Sequence, residues 1–158
     1  SAQLAAMLGL PFAFASHFAP ELMVQAIALY RERFTPSAQL KKPYVMLTVN
    51  VFAADTDAEA KRLFTTMQIA FINMLRDMRG QVQPPIDDIE TYWTSQEKAW
   101  VSEKLSRSFV GSKATVEEGL RTVLADHKPD ELMVSGHFFD PKARLRSLAI
   151  TAEVRERS

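Results

Sequence analysis

The apolar positions change period several times along the chain, and each change marks a new element. Residues 2–8 place Leu4, Ala5 and Leu8 on one side of a short helix, and Gly9 can take the left-handed conformation at its end. Phe12 to Ala15 is a brief apolar run after Pro11, bounded by Ser16 and His17, which predicts a buried strand. Helical spacing returns over residues 21–33, with Leu22, Ala26 and Leu29 on one face. After a linker holding Pro36, Lys41, Lys42 and Pro43, Tyr44 to Ala54 is almost continuously apolar and rich in β-branched residues. That is the strongest strand signal in the chain and predicts burial on both faces. Within it, Thr48 and Asn50 give one face a partly polar character, while Val45, Leu47, Val49 and Val51 keep the other aliphatic.

Thr56 with Glu59 forms a capping-box pattern ahead of a long amphipathic helix whose stripe, Phe64, Met67, Phe71, Met74, Leu75 and Met78, runs to Gly80. Residues 80–108 hold Pro84, Pro85, Asp87 and Asp88 between bulky apolar positions. They predict an irregular excursion closed by a helix from about Ser95 to Leu105, with Thr94 and Glu97 as its cap. Tyr92, Trp93 and Trp100 make this excursion either a candidate lid or a satellite core. Gly111 and Ser112 introduce a helix carrying Val116, Leu120, Val123 and Leu124, and Glu131 to Val134 is a short strand. Asp140 and Pro141 are an N-cap and N1 pair for a last helix expected to bury Leu145, Leu148 and Ala152.

Strands alternating with amphipathic helices mean βαβ units and a parallel sheet, so residues 1–158 read as a single α/β domain. Three strands are too few to close a (β/α)8 barrel, which takes about 250 residues. Two architectures remain open on periodicity: a small open α/β domain, or an incomplete barrel.

Composition narrows the function classes more than the fold. With 19 basic and 19 acidic residues, the chain has no net charge to attract nucleic acid or an anionic membrane. There is no cysteine, which removes disulfides and thiolate chemistry, and no apolar run approaches the ~20 residues of a membrane span. The sequence shows no basic n-region ahead of an apolar h-region, so nothing suggests a signal peptide and a cytoplasmic location is the default expectation. Histidine and carboxylate spacings that would hold a metal are absent, as are the Gly-x-Ser-x-Gly elbow, the P-loop and Gly-x-Gly-x-x-Gly.

Residues 1–18 (SAQLAAMLGLPFAFASHF) resemble the middle of the bacterial luciferase-like family of flavin-dependent monooxygenases. Residues 49–60 (VNVFAADTDAEA), 110–120 (VGSKATVEEGL), 130–134 (DELMV) and 143–154 (ARLRSLAITAEV) follow in the family's order. Lys113-Ala114 departs from the Pro-Glu common after Gly-Ser and weakens that helix start. The resemblance implies the C-terminal part of a luciferase-like (β/α)8 TIM barrel, about three parallel strands with flanking helices, corresponding to barrel strands 6, 7 and 8. It also implies FMN as cofactor, with a deazaflavin as the alternative, and oxygenation of a small organic substrate by reduced flavin and O2. Catalytic residues of the family lie largely upstream of this region, so none is assigned here and the isolated chain is expected to be inactive. The exposed seam of an incomplete barrel predicts a partner, either a second copy in a homo-oligomer or the N-terminal half. The rival reading is a half-barrel module without catalysis that self-associates.

By the same resemblance, Ser1 heads the helix that faces the FMN phosphate, where free backbone N–H groups and the helix dipole suit an anion; the alternative is a plain N-cap. Phe14, Ala15 and Ser16 end a strand on the side where such barrels gather their active sites, against core packing for Phe14 and loop exposure for Ser16. His17 follows them, with a ring that titrates near neutral pH and can donate to a flavin or substrate oxygen. Asn50 is a candidate flavin contact or a buried amide satisfying backbone neighbours. His137 follows the last strand without a recognisable partner. His127, at a helix C-terminus, is expected to set a positive ring against the dipole, and Arg144 and Arg146 read as solvated charges or surface ion pairs.

Overall fold

Four parallel strands form one open sheet, one strand more than the hydrophobic pattern predicts. The computed structural model describes residues 1–17, 19–78 and 80–155; Phe18, which ends the first family-like segment, lies outside them. The long strand β2 (Val45–Ala53) is central. β1 (Phe12–Phe14) pairs with its first half, in register Phe12↔Val45 to Phe14↔Leu47. β3 (Ser108–Gly111) pairs with its second half, Asn50↔Ser108 to Ala53↔Gly111. β4 (Glu131–Ser135) pairs with Met46 to Asn50. Met46 and Leu47 meet both β1 and β4, and Asn50 meets both β3 and β4. Since a strand has two edges, β1 and β3 share one edge of β2 and β4 occupies the other.

Pleating sorts the side chains of β2 onto two faces. Val45 and Leu47 pack with Ala6 of α1 (Ala2–Leu8) and with Met23, Ile27 and Tyr30 of α2 (Met23–Glu32). Val49, Val51 and Ala53 meet Val116 and Leu120 of α5 (Lys113–His127) and Ile150 and Val154 of α6 (Pro141–Arg155). On the opposite face Phe52 joins Leu63, Met67 and Ile72 of α3 (Asp57–Leu75) and Val101 of α4 (Ser95–Lys104). Each fully buried aliphatic or aromatic side chain contributes about 1.5–3 kcal/mol, so β2 anchors all three clusters.

Polar groups pin the layers. Tyr30 Oη donates to Leu10 O at 2.7 Å and accepts from Tyr44 N–H at 3.1 Å. The buried Ser147 Oγ accepts the Ala53 N–H at 2.9 Å, and Asp130 Oδ2 accepts the Val45 N–H at 2.8 Å. Gly9 ends α1 at φ 62°, and a Cβ there would lie 2.5 Å from Thr35 O. Glycine is required at that turn by both backbone conformation and space.

Several helices bury a face other than the one their leucines suggest. In α1 the buried residues are Ala2 and Ala6, leaving Leu4 and Leu8 exposed. In α2 they are Met23, Ile27 and Tyr30, one residue on from Leu22, Ala26 and Leu29. In α6 they are Ser147, Ile150 and Val154, while Leu145 and Leu148 are turned outward. α3 stops at Leu75, short of Gly80, where Asp77 takes a positive φ of 53°; Met74, Leu75 and Met78 are exposed. Helices with apolar residues on more than one side have no single solution in the sequence, and the sheet selects the narrower face that fits against it.

The helix starts follow their caps more closely. Asp140 Oδ1 accepts the Lys142 N–H at 2.9 Å at the head of α6. The start of α5, weak by its own residues, is held from outside. Asp57 Oδ1 accepts the Ser112 N–H at 2.6 Å and the Thr115 hydroxyl at 2.8 Å, and these bonds hold its carboxyl below the usual range. At the other end of α5 the expectation for His127 fails. Burial lowers its pKa, with Arg107 and Arg31 adding to the shift, and the C-terminal carbonyls of His127 and Lys128 are taken by Arg31 Nη2 at 2.8 and 2.6 Å.

The excursion after α3 is strapped to that helix. Thr65 Oγ1 accepts the Ile86 N–H at 2.9 Å and Thr66 Oγ1 donates to Gln83 O at 3.1 Å. A full capping box joins Thr94 and Glu97, and Arg76 clasps the same carboxylate at 2.6 and 2.9 Å. These bonds hold Glu97 at a pKa of about 2 against an ordinary 4.5, the Arg76 guanidinium being the largest cause. A depressed carboxyl stabilises the fold above its unfolded pKa and loses that contribution as pH falls through its folded pKa. Glu97→Gln, which keeps the bond to the Thr94 N–H but not the charge, is therefore expected to lower Tm at pH 7. The gap from wild type should close between about pH 4.5 and pH 2. Thermal melts across that range check it; a gap independent of pH would exclude the ion pair as its cause.

Candidate functional site

In a parallel sheet all C-terminal strand ends lie on one side, and here Ser16, His17 and His137 follow those ends. β1 leads into Ala15, Ser16 and His17, and β4 into Gly136 and His137. The Thr48 carbonyl in the middle of β2 holds the end of β1: it accepts the Ser16 hydroxyl at 2.5 Å and the His17 N–H at 3.0 Å. Ser16 is fully buried rather than in an exposed loop, and its hydroxyl is used in this contact.

Burial lowers the pKa of His17, the Thr48 carbonyl opposes that shift, and nearby His137 adds to it. The shift favours the neutral ring, which donates from one nitrogen and accepts at the other. The influence of His137 brings together two histidines 120 positions apart in the chain.

Asn50 lies at the crossing point, paired through its backbone register with Ser108 on one side and Ser135 on the other. It is fully buried on the face of β2 turned away from α5 and α6. Its Nδ2 donates to Ser108 Oγ at 3.2 Å, and its Oδ1 has no hydrogen-bond partner among the described residues. A buried carbonyl oxygen left unpaired costs about 1–3 kcal/mol. Asn50 therefore does not satisfy neighbouring backbone groups with its oxygen, and that atom is an acceptor available to an N–H or O–H of something bound.

The six candidate residues separate into two groups. Ser16 and His17 are both bonded to Thr48 O, with Asn50 two residues further along β2 and Ala15 exposed beside them. Phe14 instead packs in the helix-side cluster with Leu47, its ring 6.1 Å from that of Phe12. Ser1 is exposed at the head of α1 and its side chain makes no cap bond. Residues that sequence reasoning left out are Ser108, which arrives on the unforeseen strand β3, and Ser135. Neither carries a local motif.

Beside His137 a cleft of about 460 Å³ opens between the end of β4, the start of α6 and Val82 of the excursion. Among the described residues no cluster of three or more histidine and carboxylate groups could hold a metal ion. Nor is any helix among them long and apolar enough to cross a membrane.

Parallel βα units with polar chemistry at the strand ends define the class as part of a βα barrel. A family model for luciferase-like monooxygenases matches residues 1–134, and the chain belongs to that family. It is 50% identical over 156 residues to a luciferase-like monooxygenase of Escherichia coli K12, covering 99% of this chain and 47% of that protein. It is also 42% identical to the uncharacterised protein YvbT of Bacillus subtilis, covering 98% and 46%. The chain spans about half the length of the curated relatives it matches. Among solved structures, apo-MsnO8 superposes with a TM-score of 0.80 at 28% identity, over 98% of this chain and 47% of that one. The oxygenating constituent of 3,6-diketocamphane monooxygenase from Pseudomonas putida, in complex with FMN, shares the fold at TM-score 0.61 and 20% identity. There the match covers 97% of this chain and 44% of the other.

Proposed function

We propose that the chain forms one side of an FMN site in a monooxygenase that acts on a small organic substrate. The observation that carries this reading is the fully buried Oδ1 of Asn50, unpaired among the described residues, on the face of β2 turned away from α5 and α6, with His17 following the neighbouring strand β1. An isoalloxazine ring presents one imide N–H flanked by two carbonyl oxygens. Asn50 can accept from that N–H, and His17 can donate to a ring or substrate oxygen. Ala15, small and exposed, leaves room for a planar ring against the end of β1, and Ser16 holds that strand end in place. Ser1, at the start of α1, supplies free backbone N–H groups toward a phosphate. Reduced flavin, when bound, supplies the electrons that activate O2 for transfer of one oxygen atom to the substrate. The protein's part is to bind, orient and exclude water. FMN in a barrel relative of known structure supports the choice of cofactor over a deazaflavin. Completion of the site falls to the surface that covers the open sheet edges, either further barrel strands or a second copy.

Titration of FMN followed by quenching of its fluorescence tests this reading. Saturable binding with Kd below about 10 µM is expected. Absence of saturable quenching would overturn the reading.

A further inference from the structure

The first turn of α6 carries two cations, Lys142 and Arg144, and no acid. Positive charge at a helix N-terminus opposes the helix dipole. Asp140 offsets part of it as the cap, but its Oδ1 is spent on the Lys142 N–H. Arg146, two residues further into the helix, has its own carboxylate in Asp55. Arg144, exposed at the mouth of the cleft beside β4, differs from it: its guanidinium has no hydrogen bond or ion pair among the described residues.

The rest of that cleft completes the pattern. Its lining contains no carboxylate. His137 and Ser135 face it as polar groups, and Val134, Phe138 and Leu148 give it apolar walls. Ser147 also borders it, but its hydroxyl is committed to β2. A cavity of about 460 Å³ with apolar walls and one unpaired cation at a helix start suits a molecule with an apolar body and an anionic end.

We propose that this cleft binds the carboxylate or phosphate head of an apolar small molecule, with Arg144 as the charged contact and His137 beside it. Arg144 can present two parallel N–H groups to either head group, which lysine cannot. The cleft adjoins His17 through His137, so on the flavin reading it would hold an acidic substrate. The binding itself needs no flavin.

Octanoate, octyl phosphate and 1-octanol are the probes, titrated into the protein without FMN and followed by amide NMR shifts and calorimetry. Octanoate or octyl phosphate should bind saturably and shift Ser135, Gly136 and His137, and the tighter of the two assigns the head group. Octanol should bind at least about tenfold more weakly, as expected when a charge-assisted bond is lost. Arg144→Gln should weaken the anion about tenfold and leave octanol unchanged, with Arg144→Lys between. Fluorescence titration of FMN on the same Arg144→Gln protein should match wild type. Equal binding of octanol and the anions, an unaffected Arg144→Gln, or shifts confined to other residues would each overturn the proposal. Failure of FMN to bind would leave the octanoate result standing on its own.

Discussion

Phe52→Ala is expected to lower stability by about 3–5 kcal/mol, the range for removing a buried aromatic ring from a core. For a domain of this size that corresponds to a fall in Tm of roughly 6–20 °C. The ring is fully buried near the C-terminal end of β2. It stacks on Phe138 with centroids 4.3 Å apart at 25°, and meets Phe64 edge-on at 5.1 Å and 67°. It therefore joins three parts of the chain: the central strand, helix α3 and the turn that follows β4. No neighbouring side chain can fill the space without breaking one of these contacts, so the cavity term adds to the transfer term. Leu145→Ala, at a position 67% exposed, is the matched control and should stay within about 0.5 kcal/mol of wild type. Urea unfolding of the three proteins decides it. A loss below about 1.5 kcal/mol in Phe52→Ala would mean that α3 is not packed on the sheet as described.

The dependence on β2 explains what could be read in advance. Its eleven-residue apolar run is explicit in the sequence because a strand buried on both faces cannot tolerate exposed charges. β3 is the opposite case. Ser108 to Gly111 has two apolar residues and follows a helix closely, and its strand character comes from the edge that Asn50 to Ala53 offer it. Pairing partners that far away leave no local period. Helix starts were legible wherever the cap is local, as at Thr94 and Asp140. The start of α5 depends on Asp57, 55 positions before Ser112, and no window on the sequence contains both.

Much the same distinction holds for the site. His17 and Asn50 are visible as polar residues interrupting or ending apolar strands. The hold of Thr48 on the end of β1, and the arrival of Ser108 and Ser135 beside Asn50, are products of strand register. Phe14 shows the converse. Its position at a strand end suggested a ligand contact, but its register opposite Leu47 places it on the helix side. Strand parity was the information lacking, and it follows from the register of β2 once one pair is known. Arg144 carried a signal that was available from the start: a second cation in a first helical turn without an acid to match it.

Asn50→Leu should separate stability from function, leaving the first close to wild type while the second falls. Leucine keeps asparagine's branching at Cγ, though its methyl groups are larger, and removes both the unpaired Oδ1 and the bond to Ser108 Oγ. The orphaned oxygen costs about 1–3 kcal/mol, whereas a neutral side-chain bond at 3.2 Å returns about 1 kcal/mol. The released Ser108 hydroxyl sits on a half-buried strand and can turn to another acceptor. Against that gain the larger leucine methyls cost about 1–3 kcal/mol at a fully buried position, so the variant is expected within about 2 kcal/mol of wild type, a small change for such a site. If the oxygen is kept unpaired because a bound flavin supplies the donor, the same change removes that acceptor. Affinity for FMN should then fall at least about tenfold. Asn50→Asp gives the converse control. It keeps an acceptor but buries a charge, so it should destabilise the fold while retaining more FMN affinity than leucine at neutral pH. Melting curves and FMN titrations on the three proteins test both halves together. An Asn50→Leu protein that loses stability and binds FMN as wild type does would assign Asn50 a purely structural role.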